Sequence, residues 1–193
     1  MKKLVLIDCC IRRQDSRTRA LAKPLIEALS QRYEIEVIDL TRDAPVPVTE
    51  ELFRLRSKYG LTQRDRDMGE LVARADRVVI AAPFWDMSFP AALKTFMERI
   101  SACGLTFLDN PDGTTRGICK AEKVLYITTR GMDIPTDSPL DAATPWLRAM
   151  AWLWGMGKVE TVAAWGMDVC TEEERSRRLQ EALQAGLDLC REF

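Results

Sequence analysis

The sequence has 193 residues, of which 47% are hydrophobic and 30% are charged, and its formal net charge is −1. A chain of this length can bury a substantial core, and we expect a single domain over residues 1–193. The near balance of charge argues against nucleic-acid binding, and the absence of histidine excludes Ser-His-Asp and Cys-His catalysis.

The six cysteines form no C-x-x-C pair, so the sequence predicts no metal site. No apolar run is long enough to cross a membrane, and no signal-peptide pattern is present. We therefore expect a cytoplasmic protein with free thiols and without membrane insertion. Its chemistry must come from carboxylates, thiols or a cofactor.

Short apolar segments alternate with amphipathic segments along the chain. Strands are predicted at 3–8, 33–40, 77–82, 123–129 and 159–164, and helices at 16–31, 49–58, 62–75, 90–103, 140–154 and 171–190. On the first helix we expect Ala20 on the buried face together with the leucines. Alternating strands and helices predict a doubly wound α/β fold, a parallel sheet with helices on both faces. This succession of strands suits the order 2-1-3-4-5, whose switch point lies between the first and third strands.

Residues 104–120 interrupt the alternation. The segment is rich in glycine, aspartate and threonine, and it contains the turn signal Asn110-Pro-Asp-Gly113. Because excursions of this length are frequently functional, we expect a hairpin or a lid here.

The loop after the first strand carries Ser16, Arg17 and Thr18 at the start of the first helix. Free N–H groups and the positive end of the helix dipole favour an anion at this position. The hydroxyls and the arginine would complete a phosphate cradle. In the alternative interpretation, Asp15 or Ser16 only caps the helix and the arginines are solvated. No G-x-G-x-x-G or Walker motif accompanies the loop.

Two cysteines, Cys9 and Cys10, lie in the same loop and raise the question of thiol chemistry. Low-molecular-weight phosphatases and arsenate reductases of similar topology have an arginine six residues after their cysteine. Asp15 and Ser16 stand at those positions here. An aspartate would repel the phosphate that such enzymes need, so this class is excluded.

The segment 83–94 follows the third strand and precedes the fourth helix. Pro83 removes the next donor of the strand ladder, and Pro90 can open the helix. Phe84 and Trp85 then lie at the carboxyl end of a parallel strand, where open α/β sheets bind flat ligands. The segment predicts an apolar floor for a flat aromatic cofactor; alternatively, these aromatics are core or dimer contacts.

Three motifs together resemble the FMN-dependent NAD(P)H:quinone and azo reductases, which belong to the flavodoxin-like NAD(P)H dehydrogenase (quinone) group. The motifs are Ser16-Arg17-Thr18, Pro83-Phe84-Trp85-Asp86…Phe89-Pro90…Leu93-Lys94 and Thr129-Arg130-Gly131. The likeness extends from the first strand to the fifth, and the central motif is the most specific. It implies a flavodoxin-like fold and FMN as the cofactor.

The resemblance also implies which part of FMN each motif contacts. The first loop would bind the phosphate, the central loop the isoalloxazine ring, partly through backbone N–H groups, and the turn after the fourth strand the pyrimidine edge. The implied cofactor-binding residues are Cys10, Ser16, Arg17, Thr18, Pro83, Phe84, Trp85, Asp86, Met87, Thr129, Arg130, Gly131 and Met132. No side chain is expected to be catalytic, because the hydride chemistry belongs to the flavin.

Several residues depart from the family pattern. Asp86 stands where members often have asparagine, and a carboxylate close to the flavin would disfavour its anionic reduced form. Asp86 is therefore a candidate for tuning the flavin. A thiol, Cys9 or Cys10, replaces a hydroxyl of the first loop, and Met132 replaces a glycine.

The function expected from the resemblance is two-electron transfer from NADH or NADPH to a quinone, azo or nitro compound by a ping-pong mechanism. The resemblance also implies a homodimer with the site at the subunit interface, and residues 104–120 would help to cover the flavin.

Two alternatives remain open at this stage. The first is an electron-carrier flavodoxin, although the chain lacks the strong acidity and the Thr/Ser-rich loop of that class. The second is a non-enzymatic dimer that senses redox state through Cys9 and Cys10.

Overall fold

The computed structural model describes residues 1–193 as a parallel sheet with helices on both faces and a small separate hairpin. The strands are β1 (Lys2–Asp8), β2 (Tyr33–Asp39), β3 (Arg77–Ala81), β4 (Phe107–Asp109), β5 (Thr115–Gly117), β6 (Lys123–Thr129) and β7 (Lys158–Ala164). The helices are α1 (Arg17–Ser30), α2 (Glu50–Tyr59), α3 (Gln63–Arg74), α4 (Ala91–Ile100), α5 (Ala143–Trp154) and α6 (Glu172–Glu192). None of these helices combines the length and apolarity needed to span a bilayer.

The main sheet has the order β2-β1-β3-β6-β7, and all neighbouring strands are parallel. When only the strands of this sheet are counted, the order is 2-1-3-4-5. The predicted doubly wound fold is therefore confirmed. The switch point between β1 and β3 brings the loops after these two strands side by side.

The sheet separates two hydrophobic cores. Side chains alternate along β1, so Val5 and Ile7 pack in one core while Leu4 packs in the other. All residues of β3 are buried, which explains its continuous apolar run. On α1, Ala22 rather than the predicted Ala20 is buried, because the helix face against the sheet is centred on the leucines.

Two helix boundaries differ from the prediction by three residues. Helix α4 ends at Ile100 instead of 103, because Ser101 already has extended backbone angles. Helix α5 begins at Ala143 instead of 140, because the Asp141 carboxylate accepts hydrogen bonds from the N–H groups of Ala143 and Thr144. A carboxylate that bonds to first-turn amides marks the start of a helix.

Residues 104–120 form the predicted hairpin, with β4 and β5 antiparallel. The hairpin packs at the amino edge of the sheet, where Gly117 lies against the backbone of Gly155 and the Lys120 N–H donates to the Ala73 carbonyl. This edge is opposite to the one at which the parallel strands end. The expectation that the segment helps to cover a flavin is therefore wrong within this chain.

Candidate functional site

A cavity of about 410 Å³ opens at the carboxyl edge of the sheet, where the loops after β1, β3, β6 and β7 meet. Parallel α/β sheets bind ligands in this crevice, and the volume is typical of a small-molecule site. The cavity is lined by Arg12, Asp15, Ser16, Arg17, Thr18, Pro83, Phe84, Trp85, Asp86, Met87, Thr129, Gly131, Met132 and Asp168.

All the residues predicted to bind a cofactor line this cavity except Cys10 and Arg130. Cys10 is fully buried in the core beneath α1, and its thiol donates to the Ala81 carbonyl over 3.5 Å. Arg130 is fully buried and forms an ion pair with Asp141. Their side chains are committed to the protein interior, so neither lies on the cavity wall.

Three lining residues were not predicted from the sequence as part of the site: Arg12, Asp15 and Asp168. Arg12 and Asp15 belong to the loop after β1, and Asp168 belongs to the loop after β7. The sequence did contain a signal for these three residues: each lies in a loop that follows a predicted parallel strand, and such loops surround the crevice at the carboxyl edge of the sheet.

The amino end of α1 forms one end of the cavity. Ser16 caps the helix, and its hydroxyl accepts a hydrogen bond of 3.2 Å from the Arg19 N–H. The Arg19 guanidinium in turn binds Asp8 at 2.6 Å, which fixes the helix start to the end of β1. The N–H groups of Arg17 and Thr18 have no acceptor in the protein. Two first-turn amides of residues that line the cavity are therefore free. Free amides at the amino end of a helix are the arrangement that binds anions.

A buried hydroxyl pair joins α1 to β6. The hydroxyls of Thr18 and Thr129 are 2.7 Å apart, and the Thr129 N–H donates to the Thr18 hydroxyl over 3.2 Å. These bonds occupy the Thr18 side chain, so its contribution to a ligand is its backbone N–H. They also hold the α1 terminus against the turn after β6.

The central loop makes a tight two-residue turn. The N–H of Trp85 donates to the Ser88 carbonyl and the Ser88 N–H donates to the Trp85 carbonyl, at 3.0 and 2.8 Å. Asp86 and Met87, between them, have φ angles of 48° and 64°. This is the geometry of a type I′ turn, which aspartate tolerates better than methionine. The turn leaves the N–H groups of Asp86 and Met87 without acceptors.

Phe84 forms part of the apolar floor and is supported from behind. The Arg130 guanidinium carbon lies 4.6 Å from the centre of the Phe84 ring, a cation–π distance. Arg130 also donates to the carbonyls of Ile134 and Pro135, both at 3.2 Å. The floor of the cavity and the turn after β6 are therefore fixed by one buried side chain.

Charge on the cavity wall is concentrated at the end formed by α1. Arg17 forms an ion pair of 2.6 Å with Asp168, and both side chains are partly exposed. Arg12 has no ion-pair partner or side-chain hydrogen bond within the chain. The cavity thus combines free amides, two arginines and the carboxylates of Asp15 and Asp168 at one end with mainly aromatic and apolar side chains at the other, where Asp86 is the charged residue.

The buried thiols of Cys9 and Cys10, in the loop after β1, are not activated as nucleophiles. Burial raises the pKa of Cys9 to about 12, and burial together with the charge of Asp8 raises the pKa of Cys10 to about 12. A thiol becomes a nucleophile through its thiolate, so neither residue is activated at neutral pH.

Comparison with known proteins identifies relatives along nearly the whole chain. A family model described as having a flavodoxin-like fold matches residues 2–188. The FMN-dependent NADH:quinone oxidoreductase of Bordetella avium is 31% identical over 181 residues, which cover 86% of this chain and 87% of that protein.

The match to the FMN-dependent NADH:quinone oxidoreductase 2 of Clostridium perfringens is shorter. It is 31% identical over 121 residues, which cover 63% of this chain and 60% of the length of that relative. Among solved structures, the FMN-dependent NADH-azoreductase of Bacillus anthracis, determined in complex with FMN, superimposes with a TM-score of 0.83. That match has 21% identity and covers 98% of this chain and 100% of the other, so it bears on the fold.

Proposed function

The chain belongs to the flavodoxin-like family whose model it matches, and we propose that it is an FMN-dependent oxidoreductase. The proposed reaction moves two electrons from NAD(P)H to a quinone, azo compound or nitro compound. Relatives that carry the name FMN-dependent NADH:quinone oxidoreductase support the cofactor, the donor and the reaction class.

The observation that carries the proposal is the two-ended character of the cavity. One end offers the free N–H groups of Arg17 and Thr18 together with two arginine side chains. The other end offers Phe84 and Trp85. An anionic group and a flat aromatic ring in one molecule match these two ends, and FMN has both.

The donor set along the cavity also fits a flavin. Besides the two amides at α1, the N–H groups of Asp86, Met87, Gly131 and Met132 have no acceptor in the chain. All belong to residues that line the cavity. Main-chain donors of this kind are suited to the carbonyl and nitrogen acceptors on the polar edge of an isoalloxazine ring.

Each part of the chain then has a defined task. The α1 terminus and Arg17 hold the phosphate, and the β6 turn is held in place by the Thr18–Thr129 hydroxyl pair. Phe84, fixed by Arg130, would contact the flavin ring and exclude water from the floor of the cavity. The chemistry that FMN supplies when bound is two-electron transfer in two successive half-reactions.

The outer rim of the cavity suits a flat electron acceptor. Trp85, Met87 and Met132 line the cavity and remain exposed to solvent. Exposed apolar groups around a pocket mark a site for an apolar ligand or partner. We propose that nicotinamide and acceptor use this rim in turn, which gives ping-pong kinetics.

We also propose that a second copy of the chain packs beside the rim in a homodimer. For the location of the protein we propose the cytoplasm, which the six free cysteines support.

The decisive experiment is steady-state kinetics on the purified protein after loading with FMN. We expect NADH or NADPH oxidation that depends on menadione as the acceptor, with parallel double-reciprocal lines. An FMN-loaded protein that a chemical reductant such as dithionite reduces, but that oxidises neither NADH nor NADPH, would indicate an electron-carrier flavodoxin instead. A protein that binds no FMN when the cofactor is supplied in excess would contradict the proposal altogether.

A further inference from the structure

The charged groups on the cavity wall do not all favour an anionic ligand. Asp168 lines the same end of the cavity as the α1 terminus, and its Oδ1 accepts a hydrogen bond of 2.6 Å from the Arg17 guanidinium. One of the two arginines that line the cavity is thus already neutralised by a carboxylate that lies 151 positions away in the sequence.

The backbone holds Asp168 in this position. Its N–H donates to the Gly131 carbonyl over 2.9 Å, and the N–H of the preceding residue, Met167, donates to the Arg130 carbonyl over 3.0 Å. Gly131 has no Cβ, and a Cβ at this position would clash with the Asp168 carboxylate. The loop after β7 is therefore docked on the turn after β6 with its carboxylate at the cavity mouth.

We propose that Asp168 competes with the flavin phosphate for Arg17 and so sets how strongly the cavity prefers a phosphorylated flavin over riboflavin. The inference rests on the proposed function, because it assumes that the cavity binds a flavin. The two side chains are 35% and 62% exposed, so the ion pair can open without leaving a buried charge unpaired. When a phosphate binds Arg17, Asp168 is left as a negative charge beside another negative charge.

Asp168 is thus a specificity-determining residue for one part of the ligand. Riboflavin has the same ring as FMN but no phosphate, so the charge of Asp168 bears on FMN and hardly on riboflavin. A unit charge on the protein, close to a partly exposed charged group of a ligand, changes the Kd of that ligand by roughly fivefold. Added salt reduces this change.

The test is a pair of titrations, with FMN and with riboflavin, followed by quenching of flavin fluorescence. For Asp168→Asn we expect the Kd of FMN to fall about fivefold while the Kd of riboflavin changes less than about twofold. Asp168→Glu retains the charge and should leave the ratio of the two Kd values as in the wild type. The matched control is Asp133→Asn, an exposed carboxylate in the adjacent turn that does not line the cavity.

The competition for Arg17 has its own test in the Arg17→Gln background. There, Asp168→Asn should improve FMN binding by a smaller factor than in the wild type. An equal improvement in both backgrounds would overturn the competition, since it would mean that Asp168 repels the phosphate without using Arg17.

Other outcomes distinguish a failure of the role proposed for Asp168 from a failure of the proposed function. Equal changes for FMN and riboflavin, or no change for either, would overturn the role of Asp168 while leaving a flavin-binding protein in place. A wild-type protein that binds neither flavin would overturn the proposed function itself. Thermal unfolding of each variant checks that the fold is retained.

Discussion

Arg130 and Asp141 form an ion pair with both side chains fully buried, the Nη2 of the arginine lying 2.9 Å from the Oδ2 of the aspartate. The carboxylate also accepts hydrogen bonds from the hydroxyl of Thr144 and from the N–H groups of Ala143, Thr144 and Asp137. One aspartate therefore starts α5, closes the loop after β6 and neutralises the arginine beneath the cavity floor.

The first prediction concerns the cost of breaking this pair. Asp141→Asn leaves the Arg130 charge buried without a counter-ion, and we expect the free energy of unfolding to fall by about 3 kcal/mol. The matched control is Asp137→Asn, which removes an exposed ion pair with Arg148 and should cost less than about 1 kcal/mol. Urea unfolding followed by tryptophan fluorescence measures both. Equal losses of unfolding free energy in the two variants would contradict the prediction that a buried ion pair is costlier to break than an exposed one.

The same carboxylate predicts a pH dependence. Burial raises the pKa of Asp141, but hydrogen bonds from Thr144 and the charge of Arg130 outweigh it and hold the pKa below its ordinary value. A group with a lowered folded-state pKa stabilises the protein above its unfolded pKa of about 3.9 and loses that contribution as the pH falls. We therefore expect the stability difference between wild type and Asp141→Asn to be constant above pH 5 and to shrink below pH 4, as judged from urea unfolding at each pH.

The second prediction concerns the hairpin at the amino edge. In Gly117→Ala the new Cβ would clash with the backbone of Gly155, and we expect a loss of about 3 kcal/mol. Gly113→Ala is the control in the same hairpin, because open space surrounds it and only its positive φ resists the change, at about 1 kcal/mol. The midpoint temperatures of thermal unfolding compare the stability losses of the two variants.

A binding measurement on the same variants tests where the hairpin lies. Since it packs at the edge opposite to the cavity, neither glycine variant should change the Kd of FMN. A large loss of FMN affinity in Gly113→Ala, which keeps its packing, would show that the segment covers the cofactor after all.

Much of the fold could be predicted from the sequence because it depends on local patterns. The apolar run at β3 indicated a buried strand, and the proline-containing segment after it indicated a site at the carboxyl edge. The resemblance implied a cofactor contact for Arg130, but the side chain lies beneath the cavity: Thr129 and Gly131 line the cavity, and the residue between them faces the other way.

The position of Asp168 shows what the sequence leaves open. A parallel sheet places the loop after β7 at the carboxyl edge, but nothing local in the sequence indicates that the carboxylate of Asp168 reaches Arg17 on α1. That contact depends on the docking of two loops across the sheet. Contacts of this kind are set by tertiary packing and not by any single segment.

The third prediction tests the thiol-sensing alternative. Burial raises the pKa of Cys9, Cys10 and Cys119 to about 12, whereas Cys103 is exposed. In the native protein at neutral pH, the thiol reagent DTNB should react fast with Cys103, and Cys103→Ser should remove this phase. A Cys9–Cys10 disulfide formed by peroxide in the folded protein would contradict the prediction and favour redox sensing.

The last prediction concerns Asp86, whose carboxylate lies at the apolar end of the cavity in the turn before α4. Reduction adds negative charge to a flavin, so a carboxylate beside the ring stabilises the oxidised form. Asp86→Asn keeps the turn, since asparagine tolerates a positive φ as well as aspartate does. We expect the two-electron midpoint potential of bound FMN to rise by about 30 mV, the equivalent of a tenfold change in relative affinity. Asp15→Asn, at the phosphate end, should instead change the affinity for both redox states equally and leave the potential where it was, because the phosphate charge does not change on reduction. A potential that is unchanged in Asp86→Asn, or that shifts equally in both variants, would mean that Asp86 shapes the turn without tuning the flavin.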